Sequence, residues 1–353
     1  MNQVGPFMPL RELAERRRNF LHSRFRIPYS REVRGESRLV FVTPDFNRPA
    51  GGIRVMYNQV DALNGAGIAA TIMHQRKGFR CSWFTNSTVV TSGDVDLVYA
   101  NDVVVVPELY VDVLDRIGFE NRHIILNQSG HLTWSINAER VATHLKRRRG
   151  LLGVVVPSRH IADYINFAFP GVRVEIARNC VDANLFFPGA VCREKSVYFL
   201  ERRDTDDVHQ MLRILDSRGS LDGWEIRPIR VSGQEQYAAA LRAAQIFVST
   251  PYQEGFGMPA VEAMAAGAYV VGYHGYGGRE YFDPKYSRLA DTGDVLGLAH
   301  AMEGVLQNVE GDSDWCISRG RSASRVVSDY YSIENSRRDV VEAYAALTGG
   351  HES

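Results

Sequence analysis

From Leu39 onward, the chain alternates short apolar runs with stretches in which apolar residues recur at helical spacing. The short runs are apolar throughout, not at every second residue, which is typical of strands buried on both faces of a parallel sheet. Alternation of such strands with helices indicates βαβ units. A turn-rich stretch over residues 179–193 interrupts this rhythm before it resumes. The pattern therefore predicts an α/β protein with two doubly wound, Rossmann-like domains in tandem.

The pattern also predicts where the domains begin and end. In residues 1–38, Pro9 and the helical spacing of apolar residues after it predict a basic amphipathic helix. Residues 39–180 are expected to form the first domain and residues 181–330 the second. A last helix is expected within residues 331–353.

Charge adds to this picture more than composition does. With 45% hydrophobic and 23% charged residues, the chain has an ordinary globular composition. Its 41 basic and 41 acidic residues cancel, which excludes attraction of the whole molecule to a polyanion as its main property. Residues 1–181 nevertheless contain 24 Lys and Arg against 16 Asp and Glu, or +8, and residues 182–353 contain 17 against 25, or −8. The two halves are expected to face different partners.

Membrane spans and metal sites find no support in the sequence. No apolar run approaches the ~20 residues needed to cross a bilayer, and the first residues lack the apolar segment of a secretion signal. The four cysteines show no C-x-x-C spacing, which argues against a zinc site or a redox pair. We expect a cytoplasmic protein.

Ligands of open parallel sheets bind beyond the carboxyl ends of the strands, so the residues after each strand are candidate sites. Gly51 and Gly52 open a helix after the first strand, where exposed backbone N–H groups favour a phosphate. A turn without a ligand is an equally good interpretation. The spacing differs from G-x-G-x-x-G, which speaks against a nicotinamide or flavin enzyme.

Two further candidates follow later strands. His131 comes shortly after a strand that ends at Leu126, at the expected mouth of the cleft, although an isolated histidine in a polar loop is more often a surface residue. Arg202 and Arg203 follow the first strand of the second domain and offer fork geometry for a diphosphate. The alternative for these arginines is a solvated charge cluster with the acids after them.

The strongest pattern runs from Glu254 through Gly255-Phe256-Gly257 to Glu262. Two glycines keep the loop tight, and the proline that follows suits the first turn of a helix. One carboxylate precedes this helix and the other lies on it. Each can accept hydrogen bonds from vicinal hydroxyls, which suits a ligand with a polyol at both ends. A plain helix cap with an acid on the helix face explains the combination less well.

This segment resembles the EGFGxPxxEAMAxG signature of retaining glycosyltransferases of the GT-B fold, specifically glycosyltransferase family 4 (glycosyl transferases group 1). The glycine pair Gly51-Gly52 is similar to the N-terminal glycine loop of that family. Residues 178–188 resemble its NGVDxxxFxP segment between the domains, and residues 277–280 resemble its GGxxE. The resemblance covers about residues 39–348. It implies that the first domain binds the acceptor, that the second binds the donor, and that the last helix crosses back to the first domain.

For the donor site, the resemblance implies that Glu262 binds the ribose of a nucleotide-diphosphate sugar and that Glu254 contacts the transferred sugar. His131 corresponds to a histidine of the first domain near the reacting centre.

The resemblance assigns the phosphate to backbone groups and arginines. It implies that the N–H groups of Gly255, Phe256 and Gly257 lie beside the sugar and its phosphate. It also implies that Arg202 or Arg203 neutralises the diphosphate. The family usually has a lysine about five residues after the arginine, and here Asp207 and Val208 stand in that region. Arg203 is a candidate for the second positive charge.

The function implied is transfer of a sugar to an acceptor hydroxyl with retention at the anomeric carbon, without a metal or other cofactor. The basic first half favours a glycan or lipid-linked acceptor of envelope polysaccharide synthesis at an anionic membrane surface. Modified bases in DNA are an alternative acceptor. A sugar-nucleotide epimerase of the same fold and a non-catalytic binding module are further alternatives.

Overall fold

The computed structural model describes residues 27–117, 121–135, 138–189, 194–201, 205–230 and 233–349. The helix predicted within residues 1–38 lies outside the described residues. Arg202 and Arg203 also lie outside them.

The first domain is built on one parallel sheet. Its strands are β1 (Leu39–Val42), β2 (Ala70–His74), β3 (Val90–Ser92), β4 (Val103–Pro107), β5 (His123–Leu126), β6 (Leu151–Val156) and β7 (Val174–Ile176). Its helices are α1 (Gly51–Gly65), α2 (Leu114–Ile117), α3 (Gly130–Ser135), α4 (Ala138–Arg147) and α5 (Arg159–Ala168), with a 3-10 helix at Glu108–Val113. Within the described ranges, the spatial order is β3-β2-β1-β4-β5-β6-β7. The order reverses between β1 and β4, so a ligand cleft is expected beyond their carboxyl ends.

The second domain repeats this architecture with a smaller sheet. Its strands are β8 (Ser196–Leu200), β9 (Glu225–Ile229), β10 (Ile246–Ser249), β11 (Tyr269–Gly272) and β12 (Ser287–Leu289). Its helices are α6 (Asp206–Ser217), α7 (Gln234–Ala243), α8 (Met258–Ala265), α9 (Val295–Gly311) and α10 (Trp315–Tyr330), with a 3-10 helix at Gly277–Glu280. The described strands lie in the order β12-β11-β10-β8-β9 and pair in parallel. Here the order reverses between β8 and β10.

Strand β1 shows why the buried runs fold as they do. All four residues are buried, and successive side chains point to opposite faces of the sheet. Leu39 and Phe41 join a core with α1, whereas Val40 and Val42 join a second core on the other face. Each sheet is therefore covered on both sides, and the predicted α/β fold class is confirmed.

The last helix, α11 (Ile333–Thr348), packs on the first domain although it follows the second in sequence. The Tyr344 ring lies 5.5 Å from that of Phe41, and its hydroxyl donates to Oε1 of Gln59 at 2.8 Å. The Arg178 guanidinium, in the segment between the sheets, is bonded to Asp339 of this helix. The helix thus completes the core beside β1.

Two strands were not expected from the sequence. Strands β3 and β12 have three residues each and are only partly buried, so they lack the continuous buried apolar run of strands such as β1 and β4. Both lie at an edge of their sheets.

Candidate active site

The loop after β10 is shaped by glycine. Gly257 has φ +85°, a left-handed conformation that other residues rarely adopt, and it caps α8, where Pro259 lies in the first turn. The Tyr281 hydroxyl lies 2.8 Å from the carbonyl oxygen of Phe256 and 2.9 Å from that of Gly257. Burial strongly raises the pKa of Tyr281, which keeps it protonated as the donor. A buried tyrosine thus supports the backbone of this loop through the carbonyl groups of Phe256 and Gly257.

A cavity of about 70 Å³ lies beside this loop, at the carboxyl ends of β8 and β10. This is the position where the strand order of the second sheet reverses. It is lined by Leu200, Thr205, Val208, Phe247, Val248, Ser249, Thr250, Pro251, Glu254, Gly257 and Pro259. Glu254 thus lies in the wall of a cavity at the expected ligand position.

The backbone of Glu254 is held by a strained turn. Its N–H donates to the Gly275 carbonyl at 2.9 Å, and its carbonyl accepts from Gly277 at 3.2 Å. Between these glycines, Tyr276 has φ 67° and ψ −53°, and the Gly277 N–H donates to the Gly275 carbonyl across it. This is a classic γ-turn, which is rare and costs about 1–3 kcal/mol. Strain of this kind is concentrated at functional sites.

Glu262 faces the first domain, and it is not among the residues that line the cavity. Its Oε1 accepts from Nη2 of Arg54, on α1, at 2.5 Å. The side chains are only 3% and 13% exposed, respectively. Burial alone would lower the pKa of Arg54, but the Glu262 carboxylate raises it above its ordinary value, so the arginine is charged.

Three of the predicted segments meet at Gln128. Its Nε2 donates to the Gly52 carbonyl at 3.2 Å. Its own carbonyl oxygen lies against Gly255, so closely that a Cβ there would overlap it. The glycine pair of α1, the segment before His131 and the loop after Glu254 are thereby in contact.

The Gln128 segment is anchored by Glu108, at the carboxyl end of β4. The Glu108 carboxylate accepts from the N–H groups of Gln128 at 3.1 Å and Ser129 at 2.9 Å. Burial raises the pKa of Glu108 to about 7, although these two bonds act in the opposite direction. Glu108 therefore titrates close to neutral pH beneath the cleft.

Helix α5 brings its N-terminus to the same region. Ser158 caps the helix by accepting from the Ile161 N–H at 3.4 Å, and its hydroxyl donates to the Gly255 carbonyl at 2.7 Å. The Arg159 N–H donates to Oε1 of Glu280 at 2.5 Å. The first domain therefore bonds directly to Gly255, in the loop after Glu254, and to Glu280.

An aromatic contact extends this interface to the γ-turn. The His160 ring, on α5, stacks on that of Tyr276 at 5.5 Å. Burial and the nearby Arg279 lower the pKa of His160 and of His274, so both rings are neutral at physiological pH.

The other predicted site residues have more varied positions. His131 is exposed on α3, three residues after Gln128. Gly51 is also exposed, and a Cβ there would meet no other atom within 4 Å. Asp207, in the region where the family has a lysine, accepts from the hydroxyls of Tyr252 at 2.9 Å and Tyr273 at 2.8 Å. An acid held by two tyrosines thus replaces a cation there.

Arg54, Glu108 and Gln128 were missed as site residues by sequence reasoning. Glu108 directly follows a buried strand, so it could have been selected, because ligands of parallel sheets bind beyond the carboxyl ends of the strands. Gln128 lies inside a segment selected for its histidine. Arg54 follows the glycine pair but gives no indication that its partner lies 208 residues away.

Across the described ranges, no group of three or more His, Cys, Asp or Glu side chains is arranged to hold a metal ion. None of the helices in these ranges combines the length and apolar character needed to span a membrane.

Known structures share this architecture. Sucrose-phosphate synthase from Thermosynechococcus elongatus superposes with a TM-score of 0.63 at 15% identity, over 89% of this chain and 100% of that chain. Anabaena HepE, in complex with UDP and glucose, superposes with a TM-score of 0.64 at 13% identity, over 88% and 100%. Two Rossmann-like domains facing a cleft define the GT-B class of glycosyltransferases, and the chain has this fold.

Sequence comparison gives the more specific assignment. Residues 228–321 match the model of the family "Glycosyl transferases group 1", and this range contains both motif glutamates. An α-1,6-glucosyltransferase of Actinobacillus pleuropneumoniae serotype 7 is 23% identical over 241 residues, which cover 65% of this chain and 71% of that protein. The chain is therefore a glycosyltransferase that contains a domain of the group 1 type at residues 228–321, and the predicted resemblance is confirmed at this level.

Proposed function

We propose that the protein is a retaining hexosyltransferase of the family 4 kind, which moves a sugar from a nucleotide-diphosphate donor to an acceptor hydroxyl. The observation that carries this proposal is the position of Glu254. This residue lines the cavity where the second sheet reverses its strand order, and its loop is bonded to the first domain through Gly255. A sugar bound there would lie at the boundary between donor and acceptor domains.

In this proposal, Glu254 accepts hydrogen bonds from hydroxyls of the transferred sugar, and Glu262 accepts from the ribose. The N–H groups of Gly255, Phe256 and Gly257, at the N-terminus of α8, stabilise the charge that develops on the leaving diphosphate. Arg202 and Arg203, which follow β8 in the sequence, supply cations. No metal is required, because helix N-termini and arginines neutralise the phosphate.

Two further groups of the first domain belong to the proposed site. Gly51 and Gly52 let the donor approach the start of α1, and His131 donates to a sugar hydroxyl near the reacting centre. Catalysis is then a matter of positioning and preorganised charge, without a strong nucleophile.

For the acceptor, we propose a lipid-linked glycan of envelope polysaccharide synthesis, reached by a peripheral contact of the first domain with the membrane. Aromatic residues support it: Phe167 is 91% exposed, and Tyr164 and Trp134 are also exposed. Tyr164 and Phe167 are three residues apart on α5 and thus on one face. Exposed apolar groups suit a lipid surface better than the backbone of DNA. Residues 146–149 form a basic run, in which the Arg148 guanidinium donates to the Pro170 and Gly171 carbonyls and is thereby held against the protein.

The donor proposal is tested with a thermal-shift screen of nucleotide-diphosphate sugars, followed by turnover measurements. We expect Glu254→Gln and Glu262→Gln to reduce transfer by about 10²-fold or more, since each removes a preorganised electrostatic contact. Glu303→Gln is the matched control, because Glu303 pairs with Arg218 in the second domain away from the cleft. The anomeric configuration of the product is read by NMR. Inversion, or full activity of both motif variants, would refute the proposal.

The acceptor proposal is tested by sedimentation with anionic liposomes and, separately, by binding to duplex DNA at several salt concentrations. We expect liposome binding that Phe167→Ser weakens. Leu296→Ser, which replaces an exposed apolar residue of the second domain, is expected to leave it unchanged. DNA binding without liposome binding would instead favour a nucleic-acid acceptor.

A further inference from the structure

The position of Arg54 in its own helix is electrostatically unfavourable for a cation. It is the fourth residue of α1, and a cation in the first turn opposes the helix dipole. Its guanidinium is nevertheless largely buried, which carries a desolvation cost. What stabilises it is the carboxylate of Glu262, the fifth residue of α8 in the other domain. The sequence position of Arg54 is therefore explained by its partner and not by its helix.

Glu262 in turn depends on Arg54. A carboxylate that is 3% exposed needs a partner, and Arg54 is the cation that bonds it at 2.5 Å. The bond is made by Oε1. Within the described residues, Oε2 has no hydrogen-bond donor assigned to it. One oxygen is thus fixed by the first domain, while the second oxygen retains its acceptor capacity for a ligand.

We propose that Arg54 is a positioning residue for the donor site: it fixes the Glu262 carboxylate through Oε1 so that Oε2 accepts from the nucleotide ribose. This inference rests on the proposed function, which assigns the ribose to Glu262. Because the two residues belong to different domains, Glu262 is oriented only when the cleft has the arrangement described here. Recognition of the nucleoside is thereby coupled to the approach of the two domains.

The first test uses isothermal titration calorimetry with UDP, GDP and ADP, each beside its 2′-deoxy analogue, and with inorganic pyrophosphate. We expect the wild type to bind one ribonucleotide more tightly than its 2′-deoxy analogue. Arg54→Met should raise the Kd of that ribonucleotide about tenfold, as expected for loss of a charge-assisted contact. The Kd values of the deoxy analogue and of pyrophosphate should stay unchanged, which a merely structural role would not predict. Arg54→Lys should restore part of the selectivity.

The ion pair between Arg178, in the segment between the sheets, and Asp339, on α11, provides a matched control. Arg178→Met removes the partner of Asp339, also partly buried, without touching the donor motif. We expect it to lower the Tm but to leave the selectivity for ribose intact. Selectivity lost equally in both variants would overturn the inference.

The ion pair itself is tested without any nucleotide by a thermal double-mutant cycle of Arg54→Met and Glu262→Gln. Each single variant should lower the Tm, and the double variant should lower it by less than the sum, because it leaves no unpaired buried charge. Additive shifts would overturn the inference.

Ribose selectivity that is unchanged in Arg54→Met would also overturn the inference, and the proposed function would then stand. A wild type that binds none of these nucleotides would instead refute the proposed function, and the ribose role of Arg54 with it.

Discussion

The backbones of Gly255 and Gln128 are in contact across the cleft. The Gln128 carbonyl oxygen occupies the space that a Cβ on Gly255 would need. The Gly255 carbonyl also accepts a hydrogen bond from the Ser158 hydroxyl, so two segments of the first domain contact Gly255. The close approach explains why glycine follows Glu254. It also means that the shape of the loop at residues 254–257 depends on how the two domains are placed.

Gly255→Ala should therefore reduce sugar transfer more than a Gly→Ala substitution does where there is space for the methyl group. The added Cβ forces either the loop or the Gln128 segment to move, and backbone cannot yield as a flexible side chain can. We expect transfer to fall by about 10²-fold, as for misplaced catalytic geometry in general. Turnover of a nucleotide-sugar donor is the measurement. Gly304→Ala is the control, since a Cβ there meets no atom within 4 Å, and equal activity of the two variants would contradict this account.

Removal of the Tyr281 hydroxyl should loosen the loop at residues 254–257. Tyr281→Phe leaves the Phe256 and Gly257 carbonyls without that donor, at a cost of about 1 kcal/mol or more. We expect a lower Tm and a higher KM for the donor. Tyr331→Phe is a close control, because the Tyr331 hydroxyl in the same aromatic cluster has no hydrogen-bond partner among the described residues. If both variants behave alike, the hydroxyl contacts are not what holds the loop.

The dual role of Ser158 can be separated from simple helix capping. Ser158→Ala removes the cap of α5 and the bond to the Gly255 carbonyl, whereas Ser332→Ala removes only the cap of α11. Each should lose about 1 kcal/mol of stability. Only Ser158→Ala should also raise the donor KM, by about fivefold, which corresponds to one hydrogen bond. Unchanged donor kinetics in that variant would show that the contact across the cleft is unimportant.

Glu108 predicts a pH dependence of stability. Its pKa is raised from 4.5 to about 7, so the folded protein retains a proton that the unfolded chain releases. The associated stabilisation is fully present below pH 4.5 and is lost as the pH rises through about 7, roughly 3 kcal/mol in total.

The Glu108→Gln variant has no proton to release at this position, so it should not lose this stabilisation as the pH rises. The measurement is the Tm of both proteins between pH 5 and 8. We expect the wild type, relative to the variant, to become less stable as the pH rises. Parallel curves would contradict the assignment.

The sequence was most informative where structure is local. Buried parallel strands such as β4 are continuous apolar runs, and the glycines around Glu254 are required by the loop itself, so both were visible in the pattern. Strand β3 was missed because its three residues are only partly buried. The confirmed fold class follows from the strands that lie at the centre of each sheet.

The relations between the domains were not visible in the sequence. Arg54 and Glu262 lie on different domains, and their pairing depends on how two separately packed cores dock. Gln128 acts through its backbone, which has no signature in the sequence. Asp207 was seen only as a departure from the family, and the two tyrosines that hold it became apparent from the fold.

The path of α11 bears on how the protein is made. Tyr344 covers Phe41 of the first strand, so the core of the first domain includes residues synthesised after the whole second domain. Domains of a growing chain commonly fold in order, beginning at the N-terminus. Here the first sheet would stay partly uncovered on the ribosome until the final turns emerge. Of the two domains, the first is therefore completed only after the second has been synthesised.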